Sequence, residues 1–123
     1  MKIKPTESEL EILQVLWQKG TCTVREVHEE LAKNKEAGYT TTLKLMQIMF
    51  DKGLVTRDAS AKSHVYKAAF SERQAQKTAI DKIISTMFKG SAAELVMQAL
   101  GNHKASAEEI SAIKSYLEKF DKP

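Results

Sequence analysis

At five places in this 123-residue sequence, a pair of residues with the spacing of a helix capping box stands at the start of a predicted helix, and together these pairs constrain the fold more than any other feature. A capping box places Ser or Thr at the N-cap and Glu or Gln three residues later, so that each side chain accepts a hydrogen bond from the other residue's backbone N–H. Each pair here precedes apolar residues at helical spacing. The sequence therefore predicts helices capped by the pairs Thr6/Glu9, Thr23/Glu26, Ser71/Gln74, Ser91/Glu94 and Ser106/Glu109.

The order of the predicted elements indicates a winged helix. Helices are expected over about residues 7–18, 24–32 and 41–52, and again over 71–89, 91–100 and 106–120. Between the two groups, residues 54–57 and 64–67 alternate as the two strands of a β-hairpin do. Three helices followed by a hairpin match the winged helix-turn-helix, whose third helix enters the major groove of DNA. We therefore expect a mainly α fold with a small β-hairpin wing, divided into a winged-helix DNA-binding domain over residues 1–70 and a helical dimerisation domain over residues 71–123.

Composition and motifs indicate a soluble protein that is not an enzyme. The amino terminus lacks the apolar stretch of a signal peptide, and the longest uncharged run, residues 95–103, is too short to span a bilayer. The single cysteine, Cys22, fits a reducing compartment, so a cytoplasmic location is expected. The sequence contains no catalytic motif, and its histidines do not match zinc-ligand spacing, so no metal and no cofactor are expected.

The charged residues are unevenly distributed along the chain. From Thr6 to Glu30 there are six acidic side chains and two basic ones, whereas from Lys33 to Lys67 there are seven basic and three acidic ones. Segregated charge of this kind draws a polyanion such as DNA to one side of a protein. A scatter of solvated lysines would give the same counts. The charge distribution alone therefore favours a polyanion partner without establishing one.

The predicted third helix has the surface of a DNA-reading helix. Thr41, Lys44 and Ile48 share its outward face, with Thr40 and Gln47 beside them. Threonines are poor helix formers, but at a helix start their hydroxyls can bond phosphate and their methyls can contact thymine. This helix also lacks a capping box, which leaves its first N–H groups available to a phosphate oxygen. The alternative is that the threonines only cap a core helix. The predicted DNA-binding residues are Thr40, Thr41, Thr42, Lys44, Gln47 and Ile48 in the helix and Arg57 and Lys62 in the hairpin.

These segments resemble the BlaI/MecI penicillinase-repressor family. The similarity rests on residues 39–49 (YTTTLKLMQIM), 51–55 (DKGLV) and 64–66 (HVY), and on the opening residues 6–13 (TESELEIL) with Leu16 and Trp17 after them. It covers about residues 5–70, and the tail matches only as a helical extension. The resemblance implies a homodimeric repressor of dyad-symmetric operators. It also implies release through a sensor or protease partner that leads to cleavage of the C-terminal region, or through metal in a copper-responsive branch.

Three departures from the family pattern concern operator choice and release. Many relatives carry Arg at the position of Ile48, which implies that a different base sequence is read here. The family's cleavage site is typically an Asn–Phe bond, but the asparagines of this chain are followed by Lys35 and His103. The copper branch uses clustered C-terminal cysteines, which this sequence lacks. The sequence therefore carries the characteristic residues of neither release mechanism.

The tail has the pattern of a dimerisation region. Four apolar residues of the last helix follow the 3-4-3 spacing of a helix seam, and two further apolar faces precede them. A segment of about fifty residues is near the lower limit for an independent core, which favours sharing this surface with a second copy. The alternative is a monomeric tail packed back on the first domain. The residues predicted to dimerise are Ile80, Ile83, Ile84, Met87, Leu95, Ile110, Ile113, Leu117 and Phe120.

The sequence leaves a second function class open, a winged-helix module that binds protein instead of DNA. The apolar residues Leu43 and Ile48 on the third helix give this alternative some support. Salt dependence discriminates the two, because phosphate contacts make affinity fall steeply with salt and an apolar interface barely responds.

Overall fold

A computed structural model describes residues 5–60, 62–102 and 104–121, and within them the fold is mainly helical with a small antiparallel sheet. The predicted fold class, a winged helix followed by a helical region, is confirmed. The elements in chain order are α1 (Glu7–Lys19), β1 (Cys22–Thr23), α2 (Val24–Ala32), α3 (Tyr39–Asp51), β2 (Val55–Asp58), β3 (Val65–Ala68), α4 (Glu72–Met87), α5 (Ala92–Asn102) and α6 (Ala107–Asp121).

The capping pairs begin the helices as predicted. Thr6 and Glu9 exchange hydrogen bonds of 2.9 and 3.2 Å at the start of α1, and Thr23 and Glu26 exchange bonds of 2.8 and 3.2 Å at the start of α2. The pairs at Ser71 and Ser106 are also reciprocal. At Ser91 the hydroxyl accepts the Glu94 N–H at 3.1 Å. These caps satisfy backbone donors that a helix cannot pair internally, which explains why α1, α2 and the tail helices begin where they do.

The sheet has three strands, in the order β1-β3-β2. The predicted hairpin is present, with β2 and β3 each displaced by one residue from the predicted ranges. The third strand, β1, was not predicted, because a strand of two residues is too short to show alternating apolar and polar side chains. Cys22 pairs with Tyr66 and Thr23 with Val65, so β1 joins the hairpin to the connection between α1 and α2.

One hydrophobic core holds the three helices and the sheet together. Its fully buried side chains come from α1, α2, α3 and both hairpin strands, and they include Ile12, Leu13, Leu16, Val27, Met46, Met49, Leu54, Val55 and Tyr66. After β3 the chain returns to α1, where the Trp17 indole N–H donates to the Phe70 carbonyl at 2.9 Å and the two rings meet edge to face.

A buried carboxylate fixes the end of α3 against the start of α1. Glu9 is 2% exposed, and Lys52 Nζ lies 2.8 and 2.9 Å from its two carboxylate oxygens. Burial alone raises the pKa of a carboxyl group, but the hydrogen bonds from Lys52 and from the Thr6 backbone outweigh it here. The pKa of Glu9 therefore lies below its ordinary value, and the side chain is ionised at neutral pH.

The chain divides into two compact units between Lys77 and Thr78, within α4. The domain boundary expected near residue 70 remains a prediction. In the second unit no side chain of the described residues is buried, and its helices make few contacts with one another. Over the described parts of the chain, none of the helices is both long and apolar enough to span a membrane.

Candidate nucleic-acid interface

The outward face of α3 is polar and exposed, apart from one aliphatic side chain. Thr40, Thr41, Lys44 and Gln47 are exposed, and Ile48 retains 39% of its accessible surface. The opposite face of the helix is held in the core by Met46 and Met49, which are fully buried. Of the six α3 residues predicted to bind DNA, all but one are therefore exposed to solvent.

Thr42 is that exception. It was predicted as a DNA contact, but its side chain is 2% exposed, and its hydroxyl donates to the Gly38 carbonyl at 3.4 Å. Its position one turn before Met46 places it on the buried stripe of α3. Thr42 is therefore a core residue of this helix and not part of the exposed surface.

The amino-terminal end of α3 lies two residues earlier than predicted. The helix begins at Tyr39 with Gly38 as its N-cap, and no side chain among the described residues caps it. The first backbone hydrogen bond of the helix runs from the Thr42 N–H to the Gly38 carbonyl at 3.1 Å. The N–H groups that precede Thr42 therefore lie at the positive end of the helix dipole, where an anion is favoured.

The hairpin carries the two basic residues predicted to bind DNA, and only Arg57 has a contact with α3 in the described structure. Arg57 on β2 is half-buried, and its guanidinium lies 4.0 Å from the centre of the Phe50 ring on α3. Such stacking restricts the rotamers of the side chain while its N–H donors remain able to bind. Lys62, in the loop between the strands, is exposed. Hydrogen bonds from Ser60 hold the pKa of Asp58 below its ordinary value, so the end of β2 also carries a negative charge.

The seven basic residues between Lys33 and Lys67 fall into two groups, those with an acidic partner and those without one. Lys33, Lys35 and Lys52 are paired with glutamates of α1 and α2, at 3.0, 2.8 and 2.8 Å. The other four, which lie on α3 and the hairpin, form no ion pair with an acidic side chain in the part of the chain that the structure describes: Lys44, Arg57, Lys62 and Lys67. Between Lys33 and Lys67, the positive charge available to a polyanion thus lies on α3 and the hairpin.

Sequence reasoning missed a cluster at the start of α3. The Arg25 guanidinium of α2 lies 5.9 Å from the centre of the Tyr39 ring, and His28 meets the same ring edge to face at 5.7 Å. His28 Nδ1 is buried and has no hydrogen-bond partner among the residues that the structure describes. Arg25 could have been predicted from the sequence as a backbone contact, because it lies in the first turn of α2. In this class of domain, the helix before the recognition helix crosses the DNA backbone.

The remaining chemistry-bearing residues do not form a site. In residues 5–60, 62–102 and 104–121, no three His, Cys, Asp or Glu side chains are grouped so that they could hold a metal ion. Cys22 is 1% exposed, and burial, helped by the nearby Glu26 carboxylate, raises the pKa of its thiol. One of the histidines considered for zinc binding, His103, lies outside the described residues.

This arrangement defines a class of protein: a winged helix with exposed basic residues on its third helix and hairpin, followed by a helical C-terminal region. The model of the penicillinase repressor family matches residues 5–119, and the chain belongs to that family. Its members are transcriptional repressors and not enzymes.

Three curated relatives illustrate the degree of similarity. The penicillinase repressor of Bacillus licheniformis is 23% identical over 113 residues, which cover 92% of this chain and 88% of the relative. The methicillin resistance regulatory protein MecI of Staphylococcus aureus (strain N315) is 22% identical over 114 residues, 93% of each chain. The penicillinase repressor of Staphylococcus aureus is 19% identical over 121 residues, 98% of this chain and 96% of the relative.

Proposed function

We propose that this repressor binds, as a homodimer, a DNA operator with dyad symmetry, with α3 in the major groove and the β2–β3 hairpin as a wing on the backbone. The observation that carries the proposal is the segregation of charge. Lys33, Lys35 and Lys52 pair with glutamates of α1 and α2, whereas the basic residues of α3 and the hairpin have no acidic partner among the described residues and remain available to phosphate.

Within the groove, the proposed contacts come from the exposed face of α3. Lys44 and Gln47 supply donors to base edges or phosphates, and Thr40 and Thr41 supply hydroxyls at the helix start. Arg25 of α2 adds a cation close to the same end of α3, beside Tyr39. Thr42 is left out of the proposal because it is buried.

The wing contributes Arg57 and Lys62. The Phe50 ring holds the Arg57 side chain against α3, so less rotamer entropy is lost when the guanidinium binds a phosphate. Lys62 is exposed and has more freedom, so we expect its contribution to be smaller and mainly electrostatic.

The second unit supports a homodimer because it leaves its apolar residues uncovered. Met87 is 75% exposed, Phe120 68% and Leu117 54%, while Ile84, Leu95, Ile110 and Ile113 are half-buried. Apolar surface of this extent is unfavourable in water, and a second copy of the same helices is the complementary partner that symmetry provides. A dimer would also read two half-sites, whereas one winged helix reads too few bases for a unique site.

Salt-dependent binding tests the DNA interface. Fluorescence anisotropy with a fragment from the gene's own upstream region, and with sequences selected from a random library, should give selective binding that weakens steeply with salt. Lys44→Ala should weaken binding by roughly 5- to 100-fold if it contacts a base, and should lower the salt slope if it contacts phosphate. Lys19→Ala is the matched control, because Lys19 lies on α1 and pairs with Glu30 at 3.4 Å.

Equal losses from the two substitutions would contradict the placement of α3 in the groove. If the selection enriches no sequence and binding barely responds to salt, the DNA function itself is wrong. The surface of α3 would then belong to a protein-binding module.

Sedimentation measurements test the dimer. Leu117→Asp places a carboxylate on the exposed seam of α6 and should shift the protein to monomer at micromolar concentration. Ser115→Asp introduces the same charge on the far side of that helix and should leave the dimer intact. A monomeric wild-type protein, or equal effects of the two variants, would contradict the proposed interface.

A further inference from the structure

The first unit leaves two large hydrophobic side chains exposed, and both lie on α3. Within residues 5–60 and 62–77, these are Tyr39 at 43% and Ile48 at 39%. Tyr39 has neighbours on α2, because its ring contacts His28 and Arg25. Ile48 lies further along the helix, on the same outward face as Lys44 and Thr41. An exposed isoleucine on an otherwise polar face would be stabilised by contact with an apolar partner.

Base edges in the major groove offer one large apolar group, the C5-methyl of thymine. An isoleucine has no hydrogen-bond donor or acceptor, so it cannot read guanine, adenine or cytosine by their polar atoms. Facing those atoms without replacing their hydrogen bonds to water would be unfavourable. We infer that Ile48 selects a thymine in each half-site by contact with its methyl group. This inference rests on the proposed DNA function and assigns a base preference within it.

The neighbours of Ile48 indicate where that thymine lies. Ile48 follows Lys44 by one helical turn, which corresponds to about 6 Å along the axis of α3. Base pairs are stacked about 3.4 Å apart, so the selected thymine lies about two base pairs from the position that Lys44 faces. Leu45, on the side of Ile48 away from Lys44, is half-buried and packs against the core, which confines the aliphatic contact to Ile48.

Replacing thymine by deoxyuridine tests this contact, because the substitution removes only the methyl group. The full-length protein is first used to select its preferred sequence from a random duplex library. Each thymine of the selected site is then replaced by deoxyuridine, one symmetric pair at a time. At one pair of positions we expect affinity to fall by about fourfold per half-site, equivalent to ~0.8 kcal/mol for one buried methyl group.

The Ile48→Ala variant identifies the side chain responsible. Alanine is a strong helix former, so the variant should fold. It should bind the thymine site more weakly than the wild type and should no longer distinguish thymine from deoxyuridine at that position. Gln47→Ala is the matched control. It removes a proposed contact beside Ile48, so it should weaken binding to the thymine and deoxyuridine duplexes alike and retain the full effect of deoxyuridine.

Three results would overturn the inference. The first is a selected site in which no thymine methyl matters, and the second is an Ile48→Ala variant that remains as sensitive to deoxyuridine as the wild type. Both leave selective DNA binding intact and so refute only the role of Ile48. If no sequence is enriched at all, the proposed function fails as well, and Ile48 becomes part of a protein-binding surface.

Discussion

Replacing Lys52 by methionine should destabilise the protein by about 2 kcal/mol at neutral pH. Lys52 Nζ contacts both oxygens of Glu9, whose side chain is 3% exposed. Removing one partner of a fully buried pair costs roughly 3–5 kcal/mol, because the other charge is left uncompensated. The cost here should be smaller, because the Lys52 side chain is 41% exposed and Glu9 keeps its hydrogen bond from Thr6. For a unit of this size, the loss corresponds to a fall in Tm of roughly 10 °C.

The destabilisation should depend on pH in a defined direction. In the wild type the pKa of Glu9 is lowered, so its contribution to stability is present above the ordinary carboxyl pKa and disappears as the pH falls through the lower folded value. Without Lys52, burial raises the pKa of Glu9, and the buried carboxylate becomes neutral on mild acidification. The stability difference between the two proteins should therefore shrink as the pH is lowered from 7 towards 4.

Urea unfolding followed by circular dichroism at several pH values measures this difference. The double variant Glu9→Gln with Lys52→Met is the control, since glutamine can still accept the Thr6 N–H and carries no charge. It should be more stable at pH 7 than the single Lys52→Met variant. A destabilisation that is independent of pH and unaffected by Glu9→Gln would show that Lys52 acts through packing alone, and would refute the electrostatic argument.

Three other perturbations have distinct expected outcomes. Thr42→Val should leave DNA affinity within about twofold of wild type and change stability by no more than ~1 kcal/mol, because the buried hydroxyl makes one long hydrogen bond; a large loss of binding in anisotropy measurements would place Thr42 at the interface after all. Phe50→Leu should weaken DNA binding several-fold, but less than Arg57→Ala does, because it removes the stacking partner and keeps the charge; an equal loss in the two variants would contradict this ranking. Cys22 should react slowly with iodoacetamide at pH 8 in the folded protein and rapidly in urea, because the thiol is buried and its pKa is raised. Mass spectrometry follows the labelling, and rapid labelling of the native protein would show that β1 opens readily.

The helix starts could be predicted from the sequence because a capping box is a local interaction. At Thr6 and Thr23 the side chains and backbone groups that exchange hydrogen bonds are three residues apart, so their spacing is visible without a fold. The start of α3 was misplaced by two residues for the same reason. Its N-cap is Gly38, which has no side chain to mark the position, and the threonines that follow suggested a later start.

Features that depend on distant residues could not be predicted in this way. Strand β1 exists because Cys22 and Thr23 meet β3 more than forty positions later in the chain. The pairing of Lys52 with Glu9 and the stacking of Arg57 on Phe50 also depend on how the elements pack. The sequence therefore indicated which residues are basic, but the structure was needed to separate the lysines that pair with glutamates from the cations that have no acidic partner among the described residues.

Thr23 joins two parts of the molecule that would otherwise be separate. It is the N-cap of α2, and it pairs with Val65 in the central strand of the sheet. Backbone pairing between β1 and β3 therefore attaches the hairpin to the start of α2. This attachment fixes the distance between the exposed face of α3 and the wing. On the proposed operator the protein would bind best where the major-groove contact and the backbone contact are separated by this distance. A site whose groove-to-backbone spacing differs from this length must bend or twist to match it, so DNA stiffness would contribute to selectivity even at base pairs that no side chain touches.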